Sequence, residues 1–298
     1  MRHLVNITAW RRPEFFLATL RRLAVADRTD VAYRIRIDHN HHPAVLEMAR
    51  DFADQVIGNR VEIFLSEPYD QVTNGLPFLP DNNMLSVMHE SLAYEAEYYH
   101  FTEDDVVVHR DYYAYHEAGH GLDPDAFSVS AYSPDLQHVV TEENVKLARR
   151  TVHTLTVASS FRRPVLEEVA RYLPLSYLKD PIGHLGRTFP HSNPHDYWGI
   201  DGALSRTRHV TGRLCMVPLI GRAYHIGYIG SRCWPTCDIP VKPGYPHRHG
   251  PVLPGTLEEQ ADTLLSMTVD DYNKIAEMAD HVVYDLDQSY GPVTQLLS

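Results

Sequence analysis

The chain has 298 residues, of which 44% are hydrophobic, and a formal net charge of −12. This apolar content is typical of a globular protein and excludes a disordered chain, while the negative charge argues against a surface that coats nucleic acid without sequence preference. No apolar run approaches the roughly 18 residues that a membrane-spanning helix requires, so we expect no membrane partner.

The first ten residues, MRHLVNITAW, are typical of a strand and have no apolar signal-peptide segment before them. The three cysteines are Cys215, Cys233 and Cys237. Their spacing is poor for a zinc site and fits reduced thiols in an intracellular compartment. These features predict a soluble, cytoplasmic protein.

Strand-like and helix-like segments alternate through the first half of the chain. The segments predicted as strands are 3–10, 31–38, 60–67, 98–102 and 126–135, with a short β-like run at 106–108. The segments predicted as helices are 13–26, 44–57, 81–97 and the stretch that contains residues 116–120. This alternation predicts an α/β fold, with a mostly parallel sheet and helices on both of its faces.

The second half of the chain is less regular. Residues 155–174 indicate a strand or loop followed by a helix, and residues 213–230 are strand-like. A loop-rich stretch begins near residue 232, and its proline-rich part, 235–254, is the best candidate for a domain boundary or an active-site loop. Two further helices are predicted near 256–266 and 269–280.

Acidic residues follow two of the predicted strands. Asp38 ends the second strand, and Glu103, Asp104 and Asp105 directly follow the strand before the valine run. Ligands of parallel α/β sheets bind at the carboxyl ends of the strands, and oxygen ligands there suit Mg²⁺ or Mn²⁺ bridging a diphosphate. The alternative for the three adjacent acids is a solvated acidic turn.

Residues 116–120 read HEAGH, which matches the zinc-protease signature H-E-x-x-H. A chain with this histidine and glutamate content contains the pattern by chance about 6% of the time. The segment GLDPD follows at once, and its glycine and proline should end the helix that the signature needs. We therefore interpret the motif as a coincidence and keep a zinc metallopeptidase as the less favoured alternative.

Two longer stretches resemble a known enzyme family. EDDVVVHRDYYAYHEAGHGLDPDAFSVSAY and YWGIDGALSRTRHVTGRLCMVPLIGRAYHIGYIGS are similar, in order and spacing, to segments of GT-A fold glycosyltransferases, above all the N-acetylglucosaminyltransferase I family. The resemblance touches roughly residues 1–232 and does not extend to the tail. It implies a GT-A nucleotide-sugar-binding and catalytic domain over 1–232 and a loop-rich, helical C-terminal extension over 233–298.

The resemblance also implies where a nucleotide-sugar donor binds. Asp105 would be the direct metal ligand, with Glu103 and Asp104 near the sugar and the ribose of the donor. The remaining donor contacts would come from Ala9, Trp10 and Arg12 around the base, Asp38 at the nucleoside, and the loop at Gly230 and Ser231 over the donor. The implied cofactor is Mn²⁺ or Mg²⁺, and the implied donor is a UDP-sugar.

Asp201 would be the general base that deprotonates the acceptor hydroxyl, which inverts the anomeric centre. Asp196 is the alternative base, and Asp201 could instead cap a helix that begins nearby. His225 and the His/Arg loop at 246–250 are further candidates for contacts with metal or phosphate.

The sequence thus predicts a metal-dependent inverting glycosyltransferase. The expected acceptor is a glycan or a small molecule, and the alternative within this class is a hydroxymethylated base in DNA, as in viral DNA-modifying enzymes. A non-catalytic nucleotide-sugar-binding module is the alternative from another class.

Overall fold

A computed structural model of the protein describes residues 1–225, except 40, 57–59, 67–78, 134–146, 153 and 192–198, together with residues 293–295. Eleven strands lie in this part of the chain. They are β1 (His3–Ala9), β2 (Val31–Ile37), β3 (Val61–Leu65), β4 (Tyr98–Glu103), β5 (Val106–Val108), β6 (Val129–Ser130), β7 (Leu147–Thr151), β8 (Ser159–Phe161), β9 (Cys215–Pro218), β10 (Ala223–His225) and β11 (Val293–Gln295).

The same residues contain seven α-helices and one 3₁₀ helix at Leu175–Lys179. The α-helices are α1 (Pro13–Ala26), α2 (Pro43–Gln55), α3 (Leu79–Ser91), α4 (Tyr112–Leu122), α5 (Arg163–Tyr172), α6 (Pro181–Thr188) and α7 (Ile200–Thr211). α1 has the predicted bounds. It begins at Pro13, because the amide groups of the first helical turn make no helical hydrogen bond and a proline there loses none. None of the helices described combines the length and apolar character that crossing a bilayer requires.

Nine of these strands form one sheet in the order β11-β7-β9-β6-β8-β4-β1-β2-β3. β4, β1, β2 and β3 are mutually parallel neighbours. β8 is antiparallel to both β4 and β6, and β7 is antiparallel to both β9 and β11. Since β6 and β9 are parallel, only β7 and β8 run against the other seven strands. The predicted α/β class with a mostly parallel sheet is confirmed.

Two hydrophobic cores cover opposite faces of the sheet. Val5 and Ile7 of β1 belong to the core that contains α1, α2 and α4, whereas Leu4 belongs to the core that contains α3, α5 and α7. Successive residues of a strand point to opposite faces, so the two cores lie on either side of the sheet. The predicted arrangement of helices on both faces is confirmed.

The predicted helix at 81–97 is wrong at its C-terminal end, because α3 ends at Ser91. The guanidinium of Arg163, at the start of α5, donates to the carbonyl oxygens of Leu92 at 2.9 Å and Tyr94 at 3.2 Å. The hydroxyl of Tyr99 in β4 donates to the same Tyr94 carbonyl at 2.7 Å. These tertiary hydrogen bonds take up carbonyl groups that a longer helix would use itself.

Strand β7 and helix α6 were not predicted, nor were the 3₁₀ helix and β11. β7 carries Arg149 and Arg150, so it lacks an apolar pattern, yet it pairs with β9 on one side and β11 on the other. The predicted C-terminal extension lies outside the described residues apart from β11, and the predicted helices at 256–266 and 269–280 do so entirely. The domain boundary at residue 232 stays a prediction.

Candidate active site

The carboxyl ends of four parallel strands meet at one edge of the sheet. In the register of β1, β2 and β3, Ala9 lies opposite Ile37 and Ile37 opposite Leu65, while Thr8 of β1 lies opposite Glu103 of β4. The residues that follow these strands, including Trp10, Asp38, Ser66 and Asp104, therefore lie side by side. This is the edge at which α/β sheets bind ligands.

Asp38 is held at this edge by backbone and side-chain contacts. Its amide donates to the carbonyl of Ala9 at 2.9 Å, which fixes it beside the end of β1. Its carboxylate is buried, accepts a hydrogen bond from the Asn83 side chain at 3.2 Å, and lies 3.0 Å from Nδ1 of His39. Asn83, on α3, was not predicted as a site residue, and its contact with Asp38 spans 45 residues of sequence.

Arg12 clamps the acidic turn. Its Nη2 donates to Oδ1 of Asp104 at 2.5 Å, and its Nη1 lies 2.6 Å from Oδ2 of Asp105. The backbone amide of Trp10 donates to the second oxygen of Asp104 at 3.0 Å. Asp104 and Asp105 are only 2% and 1% exposed, so the alternative of a solvated acidic turn does not apply to these two residues.

Three carboxylates, those of Glu103, Asp104 and Asp105, surround the guanidinium of Arg12. Burial raises the pKa of Asp104 to about 6, because the charge of Asp105 adds to the effect and the attraction of Arg12 does not cancel it. Burial alone would lower the pKa of Arg12, but the three carboxylates around it, Glu103 included, outweigh that effect and raise it. One guanidinium thus faces three carboxylates, which leaves room for further positive charge.

Trp10 and Arg12, which the resemblance places around the nucleotide base, both contact the acidic turn. The guanidinium of Arg12 points to the acidic turn, and the amide of Trp10 binds Asp104. Ala9, the last residue of β1, accepts the amide of Asp38 and lies at the same edge. Their role around a base stays a prediction.

Asp201 lies in the first turn of α7, where the helix dipole stabilises a carboxylate. Its Oδ1 accepts a hydrogen bond of 2.5 Å from the hydroxyl of Thr156. Thr156 lies three residues before Ser159, which opposes Phe101 in the antiparallel β4–β8 pair. Between Thr156 and β8 the chain makes a turn at residues 157–158, so the placement of Asp201 relative to the acidic turn stays a prediction. Thr156 itself was not predicted.

His225 comes close to the acidic turn through its backbone. β10 pairs antiparallel with β5 in a separate two-stranded sheet, where His225 lies opposite Val106, the residue after Asp105. Of the other predicted residues, Asp196, Gly230, Ser231 and the loop at 246–250 lie outside the described residues.

The HEAGH motif does not form a zinc-protease site. His116 and His120 of α4 are both fully buried and both bond to the hydroxyl of Ser160, at 2.7 and 2.9 Å. A serine hydroxyl thus lies between the two imidazoles, where a shared metal ion would sit. Glu117 points elsewhere, with Oε1 2.9 Å from Nε2 of His3. The prediction that this motif is a coincidence agrees with these contacts.

One group of three side chains in the described part of the chain could hold a cation: His3, Asp30 and Glu117. Guanidinium groups already supply positive charge there. Arg2 and Arg28 lie 2.8 and 3.0 Å from Glu117, and Arg28 also lies 3.0 Å from Asp30. These contacts describe a salt-bridge cluster. It lies at the amino end of β1, where His3 stands, whereas the acidic turn lies at the opposite end of the strands.

Gly119 of the same motif allows α4 to pack closely against β6. A Cβ at this position would lie 2.6 Å from Cγ1 of Val129. We expect Gly119→Ala to lower the free energy of unfolding by about 1–3 kcal/mol, measured by urea denaturation, because overpacking forces the helix and strand apart. Gly121→Ala is the matched control, since a Cβ there meets nothing within 4 Å. Equal stability of the two variants would contradict this account.

No protein-family model matches the chain, and no curated protein matches it. Solved structures with a similar fold include TarS of S. aureus (residues 1–349) in complex with UDP-GlcNAc, which is 14% identical, with a TM-score of 0.40. That match covers 57% of this chain and 47% of TarS. The same TarS fragment without the sugar nucleotide is 11% identical, with a TM-score of 0.41 and coverage of 73% and 58%.

A mannosyltransferase of Pyrobaculum calidifontis in complex with GDP-Man and Mn²⁺ is also similar, at 15% identity and a TM-score of 0.40. The match covers 58% of this chain and 46% of the mannosyltransferase. The chain thus spans about half the length of the proteins it matches. Membership of the N-acetylglucosaminyltransferase I family stays a prediction from the sequence.

Proposed function

We propose that the chain is a metal-dependent, inverting glycosyltransferase that moves a sugar from a nucleoside diphosphate donor, with a UDP-sugar as the expected donor, to an acceptor hydroxyl. One observation carries the proposal. The acidic turn at Glu103–Asp105 and the buried carboxylate of Asp38 come from separate parts of the sequence and lie along one edge of the sheet, at the carboxyl ends of parallel strands.

The acidic turn has the composition that a divalent cation needs. Both oxygens of Asp104 are taken by Arg12 and the Trp10 amide, so we assign the ligand role to Asp105, with Glu103 beside it. Carboxylate oxygens are the ligands that Mn²⁺ and Mg²⁺ prefer. When bound, such an ion neutralises charge that develops on the leaving diphosphate.

Asp201 would take the proton of the acceptor. Its carboxylate oxygen accepts the hydroxyl proton while the acceptor oxygen forms a bond to C1 of the sugar. The bond between C1 and the diphosphate oxygen breaks on the opposite face, and its electron pair leaves with the nucleoside diphosphate. The hydrogen bond from Thr156 and the N-terminus of α7 hold the carboxylate in place until it accepts the proton.

Donor binding is the direct test of the proposal. A UDP-sugar at about 100 times its dissociation constant, with Mn²⁺, should stabilise the protein by about 2.7 kcal/mol. Asp105→Asn should abolish this shift in a thermal unfolding assay, because the amide neither carries charge nor binds Mn²⁺ well. Asp125→Asn, at a side chain that is 96% exposed, is the matched control and should retain it.

Turnover separates the remaining alternatives. We expect Mn²⁺-dependent release of UDP, stimulated by an acceptor from a panel of glycans, small hydroxylated molecules and DNA with hydroxymethylated bases. Donor binding with no turnover on any acceptor would instead indicate a binding module. Zinc-dependent peptide cleavage, lost in His116→Ala but not in Asp105→Asn, would favour the metallopeptidase.

A further inference from the structure

Arg12 supplies the positive charge at the acidic turn, and its position is the one that a metal ion would need. Its two terminal nitrogens contact different carboxylates, Asp104 at 2.5 Å and Asp105 at 2.6 Å. We propose that Arg12 is a placeholder for the divalent cation and leaves Asp105 only when the cation and the donor diphosphate arrive together. This inference rests on the proposed function.

The guanidinium and the cation cannot share Asp105 without strong repulsion. A divalent ion binds a carboxylate oxygen at about 2.0–2.2 Å, and the Arg12 nitrogen already lies 2.6 Å from Oδ2 of this residue. Like charges at such separations repel strongly in a buried site, where solvent screens them little. The two cations therefore compete for Asp105, and withdrawal of Arg12 relieves that competition.

Arg12 is free to withdraw, whereas the acids are fixed. The Asp104 carboxylate is held by the Trp10 amide, and its backbone carbonyl accepts the Thr19 hydroxyl at 3.1 Å. The side chains of Asp104 and Asp105 are 3% and 1% exposed, against 23% for Arg12. Arg12 also directly precedes α1 and makes no side-chain cap there. Its guanidinium can move toward solvent without opening the core.

A diphosphate is the natural destination of the displaced guanidinium. The planar fork of arginine binds two phosphate oxygens as it binds a carboxylate, and the proposed donor lies along the same edge of the sheet. The cation then replaces Arg12 at Asp105, and the diphosphate replaces Asp105 as the partner of Arg12. Cation and nucleotide should consequently bind with positive, reciprocal coupling.

Mn²⁺ binding measured by electron paramagnetic resonance, with UDP as the nucleotide probe, tests this proposal without turnover. Wild-type protein should bind Mn²⁺ at least about 10-fold more weakly than Arg12→Gln when UDP is absent, and UDP should tighten wild-type binding by about 10-fold or more. UDP should tighten binding to Arg12→Gln by less than about 3-fold, because no guanidinium remains to be transferred.

Arg11→Gln is the matched control. It removes the same charge one residue away, from an exposed side chain whose guanidinium lies 5.3 Å from the centre of the Trp10 ring. It should bind Mn²⁺ like the wild type. If Arg12→Gln does not fold, Arg12→Lys is the substitute variant. Its ammonium group keeps the positive charge but can reach only one carboxylate. Its Mn²⁺ affinity should therefore lie between the affinities expected of the wild type and of Arg12→Gln.

Two outcomes would overturn the proposal in different ways. Tight Mn²⁺ binding by the wild type without UDP, unchanged on substitution of Arg12, would overturn the placeholder role and leave the proposed function intact. Absence of Mn²⁺ binding in every protein, with and without UDP, would overturn both the placeholder and the metal dependence of the proposed function.

Discussion

Asp201→Asn is expected to lower the rate of sugar transfer by about 10²–10⁴-fold and to leave the affinity for the UDP-sugar unchanged. An amide cannot accept the acceptor proton, but its oxygen can still accept the hydrogen bond of 2.5 Å from Thr156. The substitution therefore removes the chemistry of the side chain and keeps its position. Transfer rates at saturating donor and acceptor, with donor affinity measured separately, give the comparison.

Asp196→Asn is the companion variant, because the sequence offers both acids as the base. Asp196 lies outside the described residues, whereas Asp201 lies in the first turn of α7 and accepts the hydroxyl of Thr156. We expect Asp196→Asn to keep most of the activity. Full activity of Asp201→Asn combined with a large loss in Asp196→Asn would transfer the base role to Asp196.

The second large effect is a loss of stability in mild acid. Four buried histidines, His3, His100, His116 and His120, lie between the sheet and α4 or at its edge. Burial lowers the pKa of each, well below the usual value for His100 and His116 and to about 3 for His120. In the unfolded chain the same imidazoles titrate near pH 6.5.

At a pH between the histidine pKa values of the folded and the unfolded state, the unfolded state binds more protons than the folded state. The free energy of unfolding is therefore highest above about pH 6.5 and falls as the pH decreases below it. Each histidine contributes up to about 1.4 kcal/mol per pH unit, and four contribute at most about 5 kcal/mol per pH unit. Asp104 acts in the opposite direction, since its pKa of about 6 in the folded state lies above the usual value.

Charges around the histidines set the size of this loss. Glu117 is hydrogen-bonded to His3 and favours its protonated form, whereas the nearby Arg28 opposes it. Arg162 disfavours a charge on His120, and Glu97 favours one. Within the described residues, the neighbours that act on His100 and His116 are other histidines. We therefore expect His100 and His116 to dominate the loss.

Urea denaturation between pH 7.5 and 5.0 measures the effect. The free energy of unfolding should fall steeply below pH 6.5, with uptake of about three protons on unfolding. His120→Asn, which can still bond to Ser160, should reduce the slope by about one proton. His209→Gln, at an exposed position, should leave the slope unchanged. A free energy of unfolding that is constant over this range would refute the expectation.

Helices and strands with a clear local residue pattern could be predicted from the sequence. The apolar spacing of 13–26 with Pro13 predicted α1 to the residue, and the strands that end near Ala9, Asp38 and Glu103 were predicted in the correct order. Local propensity and side-chain periodicity are properties of neighbouring residues, so they can be recognised in the sequence without knowledge of the fold. The position of the acidic turn at a strand end follows from the same pattern.

The pairings between residues far apart along the chain could not be predicted. Arg12 contacts Asp104 across 92 residues, Thr156 reaches Asp201 across 45, and Ser160 meets His116 across 44. Only the strand order, with β1 between β2 and β4 and with β8 antiparallel to β4, brings these groups together. Hydrogen bonds and ion pairs depend on distances of a few ångströms, which a one-dimensional pattern does not contain.

The HEAGH motif shows most clearly the difference between local structure, which the sequence predicts, and long-range contacts, which it does not. Its letters predicted a helix, and residues 116–120 do lie on α4. Whether its histidines bind zinc or fill a core depended on the two strands packed against that helix: β8 presents Ser160 to both imidazoles, and β6 presents Val129 to Gly119. By itself, the sequence determined most of the strands and helices of the first half of the chain and the position of the acidic turn, because these are local. Tertiary structure decided which polar side chains pair, because a buried polar group without a hydrogen bond costs free energy.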